Sequence, residues 1–86
     1  MIQLKEAVIV EGKYDKIKLS SLIDGLIIDT GGFQIFNDKE KLALIRRLAE
    51  TRGILVLTDS DSAGFLIRNH LNGMIPKGKI KHAYIP

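Results

Sequence analysis

The chain has 86 residues, a formal net charge of +3 and no cysteine. A chain of this length forms one domain around a single hydrophobic core, and the lack of cysteine excludes disulfide frameworks, thiolate zinc sites and cysteine nucleophiles. No apolar run approaches the ~20 residues that cross a bilayer, so no membrane partner is expected and a reducing cytoplasm is the expected compartment.

The first half of the chain alternates apolar runs with a helical pattern. Ala7–Val10 is a continuous apolar run rich in β-branched residues, which is typical of a strand buried on both faces. The apolar spacing predicts a short helix over residues 14–23, closed by Asp24-Gly25, and a second buried strand over residues 26–28. The consecutive glycines Gly31-Gly32 then indicate a turn with unusual dihedral angles, or no more than a tight connection.

The second half of the chain contains the clearest helix. Asn37, followed three residues later by Glu40, resembles a capping box and predicts the start of this helix, and Gly53 predicts its end. Its apolar stripe consists of Leu42, Ile45, Leu48 and Ala49. A third strand is predicted over residues 54–57, a further helix over residues 63–71 and a fourth strand over Ile80–Ile85. Strands that alternate with helices predict an α/β domain with a parallel sheet, whose strand order the sequence does not determine.

Acidic residues follow the predicted strands where those strands end. Glu11 follows the first strand, Asp29 the second, and Asp59 and Asp61 the third. Ligands of open parallel sheets bind at this carboxyl edge. Carboxylates that meet there repel one another unless a cation intervenes, and Mg²⁺ accepts one or two carboxylates together with phosphate oxygens. The pattern predicts that Glu11, Asp59 and Asp61 are metal ligands.

Simpler structural roles are open for several of these residues. Asp61 or Ser62 can cap the third helix, and Asp29 can be an exposed turn residue. Lys13 can be an ordinary surface lysine. The aromatic residues are expected to pack in the core or at its margin rather than to form stacking platforms: Tyr14, Phe33, Phe36 and Phe65. Histidines His70 and His82 are expected to be packed or at the surface rather than to act as bases.

Basic residues are concentrated near the end of the chain. Residues 63–86 carry Arg68, Lys77, Lys79 and Lys81, and no acidic side chain. A stretch with this charge favours a polyanionic partner such as nucleic acid, although a few lysines on a solvated loop are equally consistent with it.

Two motifs together resemble the TOPRIM domain of topoisomerases, bacterial primases and a group of nucleases. They are Val10-Glu11-Gly12-Lys13-Tyr14-Asp15 after the first strand and Thr58-Asp59-Ser60-Asp61-Ser62-Ala63-Gly64 after the third. The resemblance covers residues 1–86 and implies one three-layer αβα, Rossmann-like domain with a four-stranded, mainly parallel sheet. It also implies that Glu11 is a general acid or base and that Asp59 and Asp61 bind Mg²⁺, with Mn²⁺ as an alternative.

Within this family, three features are most similar to the ribonuclease M-five branch, which matures the precursor of 5S ribosomal RNA: the context of Lys13 and Asp15, the turn Thr30-Gly31-Gly32 and the closing His82-Ala83-Tyr84-Ile85-Pro86. This branch implies RNA rather than DNA as partner, with a ribosomal RNA precursor or a ribosomal protein in the complex. In such nucleases an RNA-recognising portion follows this domain, so the chain is expected to be the amino-terminal part of a longer protein. Residues 60–64 are closer to the primase version of the motif.

Three functions stay open at this point. The first is the catalytic domain of a Mg²⁺-dependent endoribonuclease, with Glu11, Lys13 and Asp59 in catalysis and Lys13 and the basic carboxyl-terminal residues on the nucleic-acid backbone. The second is a nucleic-acid-binding module without activity, and the third a primase-related domain. A phosphoacceptor receiver domain ranks last, since Glu11-Gly12 does not supply the acidic pair that it needs after the first strand.

Overall fold

The computed structural model describes residues 1–85 and shows an α/β fold; Pro86, the last residue of the closing motif, lies outside the described residues. The elements in chain order are β1 (Ile2–Gln3), β2 (Ala7–Val10), α1 (Lys13–Ser20), β3 (Ile23–Asp24), β4 (Ile27–Asp29), a 3₁₀-helix (Gly32–Asn37), α2 (Lys39–Arg52), β5 (Ile54–Asp59), α3 (Ser62–Asn72), a second 3₁₀-helix (Lys77–Lys79) and β6 (Ile80–Ile85).

The main sheet has the order β4-β2-β5-β6, and its neighbouring strands are all parallel. Ala7 of β2 pairs with Ile54 of β5, which in turn pairs with Ile80 of β6, so these strands start at one edge and end at the other. The predicted parallel sheet and its four strands are therefore confirmed. All four strands therefore end at the same carboxyl edge.

Helices cover both faces of this sheet. On one face Ile9 and Val56 belong to a core with Ile45 of α2 and Ile67 of α3. On the other face Val8, Val10 and Ile27 pack against α1. Alternate residues of β2 thus enter different cores, which is why its whole sequence is apolar. The three-layer αβα architecture is confirmed.

Three local predictions need correction. Helix α1 ends at Ser20 rather than residue 23, because Ile23 pairs with Ile2 in a separate two-stranded parallel sheet. The cap of α2 is Asp38 rather than Asn37, since the Asp38 carboxylate accepts a hydrogen bond from the Lys41 backbone N–H at 3.0 Å. The 3₁₀-helix Gly32–Asn37 was not predicted.

Other local predictions are confirmed. Gly53 ends α2 with a φ of +76°, which favours glycine. Helix α3 and β6 occupy the predicted places within one residue. Among residues 1–85, no helix has both the length and the apolar character needed to cross a bilayer.

Candidate metal centre

Three carboxylates meet at the carboxyl edge of the main sheet. Glu11 directly follows β2, Asp59 is the last residue of β5, and Asp61 precedes the first turn of α3. One ligand atom from each lies within 4.8 Å of those from the other two. Glu11 is partly buried, whereas both aspartates are exposed. The structure therefore brings Glu11 next to two aspartates that lie 48 and 50 positions later in the sequence.

The Thr30-Gly31-Gly32 turn fixes the main chain of Glu11. The Glu11 carbonyl accepts hydrogen bonds from the Thr30 hydroxyl at 2.9 Å and from the Gly32 N–H at 3.0 Å. Thr30 is itself only 1% exposed, and its N–H donates to the Val10 carbonyl at 2.9 Å. Gly31 and Gly32 have φ values of +72° and +64°, which disfavour any other residue. The two glycines are therefore more than a tight connection, since their turn sets the position of Glu11.

Asp61 is held by the helix that follows it. Its side-chain Oδ1 accepts a hydrogen bond from the Gly64 N–H at 2.7 Å and so caps α3, as one of the structural alternatives predicted. A carboxylate has two oxygens and about four acceptor positions, so a cap leaves it able to bind a cation as well. Capping and metal binding are compatible roles for Asp61.

Gly64 lets α3 start against the end of β5. A Cβ at this position would lie 2.4 Å from the Asp59 carbonyl oxygen and 2.7 Å from the Thr58 hydroxyl. Real Cβ atoms do not approach backbone so closely, hence any other residue would push the helix away from the strand. The glycine thereby sets the separation between Asp59 and Asp61.

Arg68 of α3 forms hydrogen bonds to the end of β5, next to Asp59, and to β6. It is 2% exposed, and its guanidinium donates to the Thr58 hydroxyl at 3.1 Å, to the Val56 carbonyl at 3.3 Å and to the Ala83 carbonyl. The Thr58 hydroxyl in turn donates to the Asp59 carbonyl at 3.2 Å. Burial lowers the pKa of Arg68. Because its guanidinium is not presented to solvent, Arg68 supports the strands and is not placed to contact nucleic acid as the basic stretch predicted.

His82 completes this network. Its Nδ1 lies 2.8 Å from Nη1 of Arg68, a group that can only donate, so Nδ1 accepts and the Nε2–H donates to Asn72 Oδ1 at 2.9 Å. Burial and the Arg68 charge lower the pKa of His82, which favours this neutral form. The expectation that His82 is a packed residue and not a base agrees with these contacts.

The acidic cluster favours a cation. Burial, and then the charges of Asp61, Asp59 and Asp15, raise the pKa of Glu11. A divalent cation would remove this conflict, and carboxylate oxygens are the ligands that Mg²⁺ prefers. Two oxygens bound to one Mg²⁺ at about 2.1 Å are at most about 4.2 Å apart, so donor atoms within 4.8 Å fit after a small rotation of the exposed aspartates.

The remaining acidic residues of this edge stand outside the cluster. Asp15, in the first turn of α1, accepts a hydrogen bond at Oδ2 from the Gly12 N–H at 3.1 Å. Asp29 is the last residue of β4, the outer strand on the side away from β6. Asp15 acts on Glu11 through its charge, and Asp29 is not one of the three converging residues.

The basic residues predicted to contact nucleic acid lie at opposite edges of the sheet. Lys13 is exposed at the first position of α1, beside the carboxylates. Lys77 and Lys79 lie in the 3₁₀-helix before β6, and Lys81 follows directly. Ile80 pairs with Ile54 at the start of β5, so these three lysines lie at the amino edge of the sheet. Along β5, Ile54 is about 16 Å from Asp59, at 3.3 Å per residue. Lys81 there binds Glu6 at 2.8 Å.

The expected packing of the aromatic residues is only partly correct. Phe36 packs against the larger core and contacts the His70 ring edge-to-face, with the ring centres 4.9 Å apart. Phe33 stacks on Phe36 with the ring centres 5.6 Å apart, so it packs at the margin of the core as expected, although it is exposed. Tyr14 and Phe65 are instead exposed, as is Tyr84. No periodic signal in the sequence separates these exposed rings from core residues.

Comparisons with known proteins agree with this geometry. The model of the Toprim domain family matches residues 6–86. The chain is 36% identical to Ribonuclease M5 of Borreliella burgdorferi over 86 residues and 34% identical to Ribonuclease M5 of Bacillus subtilis over 85 residues, in each case over 99% of this chain. It spans 46% and 44% of those proteins, less than half of their length. A small TOPRIM domain protein from Bacillus stearothermophilus matches all of this chain and 73% of its own, with a TM-score of 0.75 and 26% identity.

Proposed function

Since the chain belongs to the Toprim domain family, we propose that it is the catalytic domain of a Mg²⁺-dependent endoribonuclease. The observation that carries this proposal is the convergence of Glu11, Asp59 and Asp61 within 4.8 Å. The relatives named Ribonuclease M5 support RNA as the substrate, with a ribosomal RNA precursor as the expected molecule and the cytoplasm as the expected place of action. This chain would supply the reacting groups within a longer protein, either alone or with a ribosomal protein bound to the RNA.

Asp59 and Asp61 are the proposed ligands of the cation, and Glu11 contributes a further oxygen. When bound, Mg²⁺ supplies Lewis-acid stabilisation of the charge that develops on phosphate oxygens, and Mn²⁺ can replace it. Asp61 is oriented by its cap on α3, and Asp59 by the Arg68–Thr58 network beneath it. Both carboxylates would therefore be presented to a bound phosphate from backbone that is held in place.

Glu11 is the proposed general acid or base. The carboxylate of Glu11 lies within 4.8 Å of those of Asp59 and Asp61, so it would stand beside a phosphate held by the cation, where a proton can be taken or given. The turn at Thr30 and Gly32 holds its main chain in place. Glu11 would take the proton of the attacking oxygen or return one to the leaving oxygen.

Lys13 is the proposed phosphate contact at this edge. It is exposed at the start of α1, one residue after Gly12, where a phosphate held by the cation would come close. Lys77, Lys79 and Lys81 would contact the same RNA at a second point, about 16 Å away across the sheet. The fold extends over 31 × 27 × 21 Å, which a folded RNA can span from edge to edge.

The proposal is tested by cleavage of a structured ribosomal RNA precursor with Mg²⁺, with Mn²⁺ or with EDTA. Asp59→Asn should lower the cleavage rate by about 100-fold or more, since it removes a charged ligand of the cation. Asp24→Asn makes the same chemical change away from the cluster and should leave the rate unchanged.

Two results would contradict this proposal. Full activity of the Asp59→Asn variant would show that the acidic cluster does not carry the reaction. RNA binding that EDTA does not alter, without cleavage under any metal condition, would favour the non-catalytic binding module.

A further inference from the structure

Helix α2 carries the excess positive charge of the chain. It contains five basic and two acidic side chains: Lys39, Lys41, Arg46, Arg47 and Arg52, with Glu40 and Glu50. The net charge of this helix is therefore +3, which equals the net charge of the whole chain. Since the chain has 13 basic and 10 acidic residues, the residues outside α2 carry eight of each kind and are neutral overall.

Most of this charge lies on the side of α2 that faces away from the core. Ile45 and Ala49 are the buried residues of the helix and belong to the larger core. At 3.6 residues per turn the opposite side holds five exposed residues: Lys39, Ala43, Arg46, Arg47 and Glu50. The last four of these line one surface pocket. Ala43 lies one turn before the two arginines and leaves space between their guanidinium groups.

The arginines of α2 are not neutralised by their own helix. Arg46 and Glu50 are four residues apart, a spacing at which helical side chains can form an ion pair. Among residues 1–85, however, the one ion pair joins Lys81 to Glu6. The guanidinium groups of Arg46 and Arg47 are therefore available to an anion from outside the chain.

The exposed side of α2 continues into the basic amino edge of the sheet. The helix follows β4 and ends at Gly53, whose carbonyl accepts a hydrogen bond at 3.1 Å from the Ala7 N–H at the start of β2. It thus runs from the carboxyl side to the amino edge over about 21 Å, at 1.5 Å per residue. A second pocket at its end is lined by four basic and two acidic side chains: Lys5, Arg52, Lys79 and Lys81, with Glu6 and Glu50. Because Glu50 lines both pockets, they form one continuous basic surface.

We propose that this surface binds the sugar–phosphate backbone of a double-helical RNA stem. The inference rests on the proposed function, since the stem belongs to the RNA named there as substrate. A guanidinium presents a flat fork of N–H donors that fits two oxygens of one phosphate. Double-helical RNA is bound mainly through its shape and its phosphates, and charges on one rigid helix match a phosphate array that is itself rigid.

The composition of the surface favours a polyanion over a protein partner. The centre of a protein interface is depleted of charged residues and enriched in aromatic ones. Of the exposed residues of α2, Leu44 alone is large and apolar. The surface therefore offers phosphate contacts that do not depend on base sequence. A stem held along α2 extends from the amino edge toward the edge that carries the acidic cluster.

Binding of a labelled RNA hairpin in EDTA tests this surface without metal and without cleavage. The double variant Arg46→Gln/Arg47→Gln should lower the affinity by about 10-fold and the slope of log affinity against log salt by about 1.4 to 1.8, the loss of two phosphate contacts. Glu50→Gln should have the opposite effect and raise the affinity, because it removes the acidic side chain that the two pockets share. A gain of affinity cannot result from damage to the fold.

Lys16→Gln/Lys18→Gln is the matched control. It also lowers the net charge from +3 to +1, but at exposed positions of α1, which packs on the other face of the sheet. It should leave the affinity within about two-fold, since no contact with the stem is lost. Unchanged affinity in the arginine variant, or equal weakening by the lysine variant, would overturn the proposed surface. Equal displacement of the hairpin by polyglutamate of the same charge would also overturn it and favour an acidic protein.

The outcome is separable from that of the proposed function. Asp59→Asn alters the acidic cluster and leaves α2 unchanged. If Asp59→Asn abolishes cleavage while the arginine variant binds the hairpin as the unaltered chain does, the α2 surface is wrong and the proposed function stands. If the arginine variant loses affinity while Asp59→Asn cleaves at the full rate, the surface is supported and the proposed metal-dependent nuclease is refuted.

Discussion

At the carboxyl edge of the sheet lie three carboxylates, four exposed aromatic rings and a glycine-rich turn, whereas the amino edge carries Lys77, Lys79 and Lys81. Both edges are polar, and among the described residues 1–85 the buried polar side chains Thr30, Thr58 and Arg68 support the carboxyl edge. At the amino edge, Lys81 makes an exposed ion pair with Glu6, the kind of contact that adds little stability. The two edges therefore differ in their buried hydrogen-bonded supports and not in their charges alone.

The largest expected effect comes from the buried support of the carboxyl edge. Arg68→Met removes the donors to Thr58, Val56 and Ala83 and should lower the free energy of unfolding by about 3 kcal/mol or more, since several buried acceptors lose their partners together. Lys81→Met, the matched change at the amino edge, should cost less than about 1 kcal/mol. Urea unfolding measures both values, and equal losses would show that the two edges do not differ in this way.

A second comparison uses one glycine from each edge. Gly64→Ala places a Cβ 2.4 Å from the Asp59 carbonyl oxygen and should cost about 1–3 kcal/mol, the range for overpacking. Gly78→Ala, where an added Cβ meets nothing within 4 Å, should change stability by no more than about 0.5 kcal/mol. Thermal unfolding gives both differences. A stable Gly64→Ala variant would mean that α3 can shift away from β5 at little cost.

The lysines of the two edges should differ in how they bind RNA. Lys13→Gln should weaken binding and also slow cleavage, because Lys13 adjoins the carboxylates. Lys79→Gln should weaken binding with little change in the rate for bound RNA. Each change should reduce the slope of log affinity against log salt by about 0.7 to 0.9 if one phosphate contact is lost. If a variant has the same slope of log affinity against log salt as the unaltered chain, the lysine that it replaces does not contact a phosphate.

The smallest expected effect is a pH dependence of the metal-free chain. The pKa of Glu11 is raised in the fold, so the folded state retains its proton to higher pH than the unfolded state does. In EDTA, stability should therefore fall as pH rises from the unfolded glutamate value of about 4.3 through the raised pKa. Glu11→Gln should remove this fall and stabilise the chain at pH 7 by about 0.5 kcal/mol, the scale of a surface change.

Urea unfolding between pH 4 and pH 7 measures this effect. Asp24→Asn, an equivalent change outside the cluster, should leave the fall in place. If Glu11→Gln loses stability with pH as the unaltered chain does, the three carboxylates do not repel one another as their spacing requires. Added Mg²⁺ should reverse the fall in the unaltered chain, since a cation on the cluster favours the ionised carboxylates.

The sequence was sufficient for the strands of the main sheet, though not for their order, and for the acidic cluster. Three apolar runs and the alternating segment Ile80–Ile85 predicted the strands, and their parallel direction predicted that Glu11, Asp59 and Asp61 would meet. It was insufficient for the short elements. The strands β1 and β3 have two residues each and leave no periodic signal, and the apolar Ile23 continued the pattern of α1.

The sequence was also insufficient for two features of the charged residues. It showed that Arg68 is charged but not that backbone carbonyls of β5 and β6 would surround it. Lys77 and Lys79 precede the last strand, so its parallel direction places them at the amino edge. The prediction grouped them with Lys13 as contacts of the nucleic-acid backbone and did not assign them to an edge of the sheet, which strand direction decides.

The central claim is that Glu11, Asp59 and Asp61 share one cation, and paramagnetic broadening tests it most directly. Mn²⁺ added to the chain should broaden the side-chain carboxyl signals of all three residues together and leave that of Asp24 sharp, and excess Mg²⁺ should restore the three signals together. If the Glu11 signal stays sharp while those of Asp59 and Asp61 broaden, or if the three respond at different Mn²⁺ concentrations, they do not form one site.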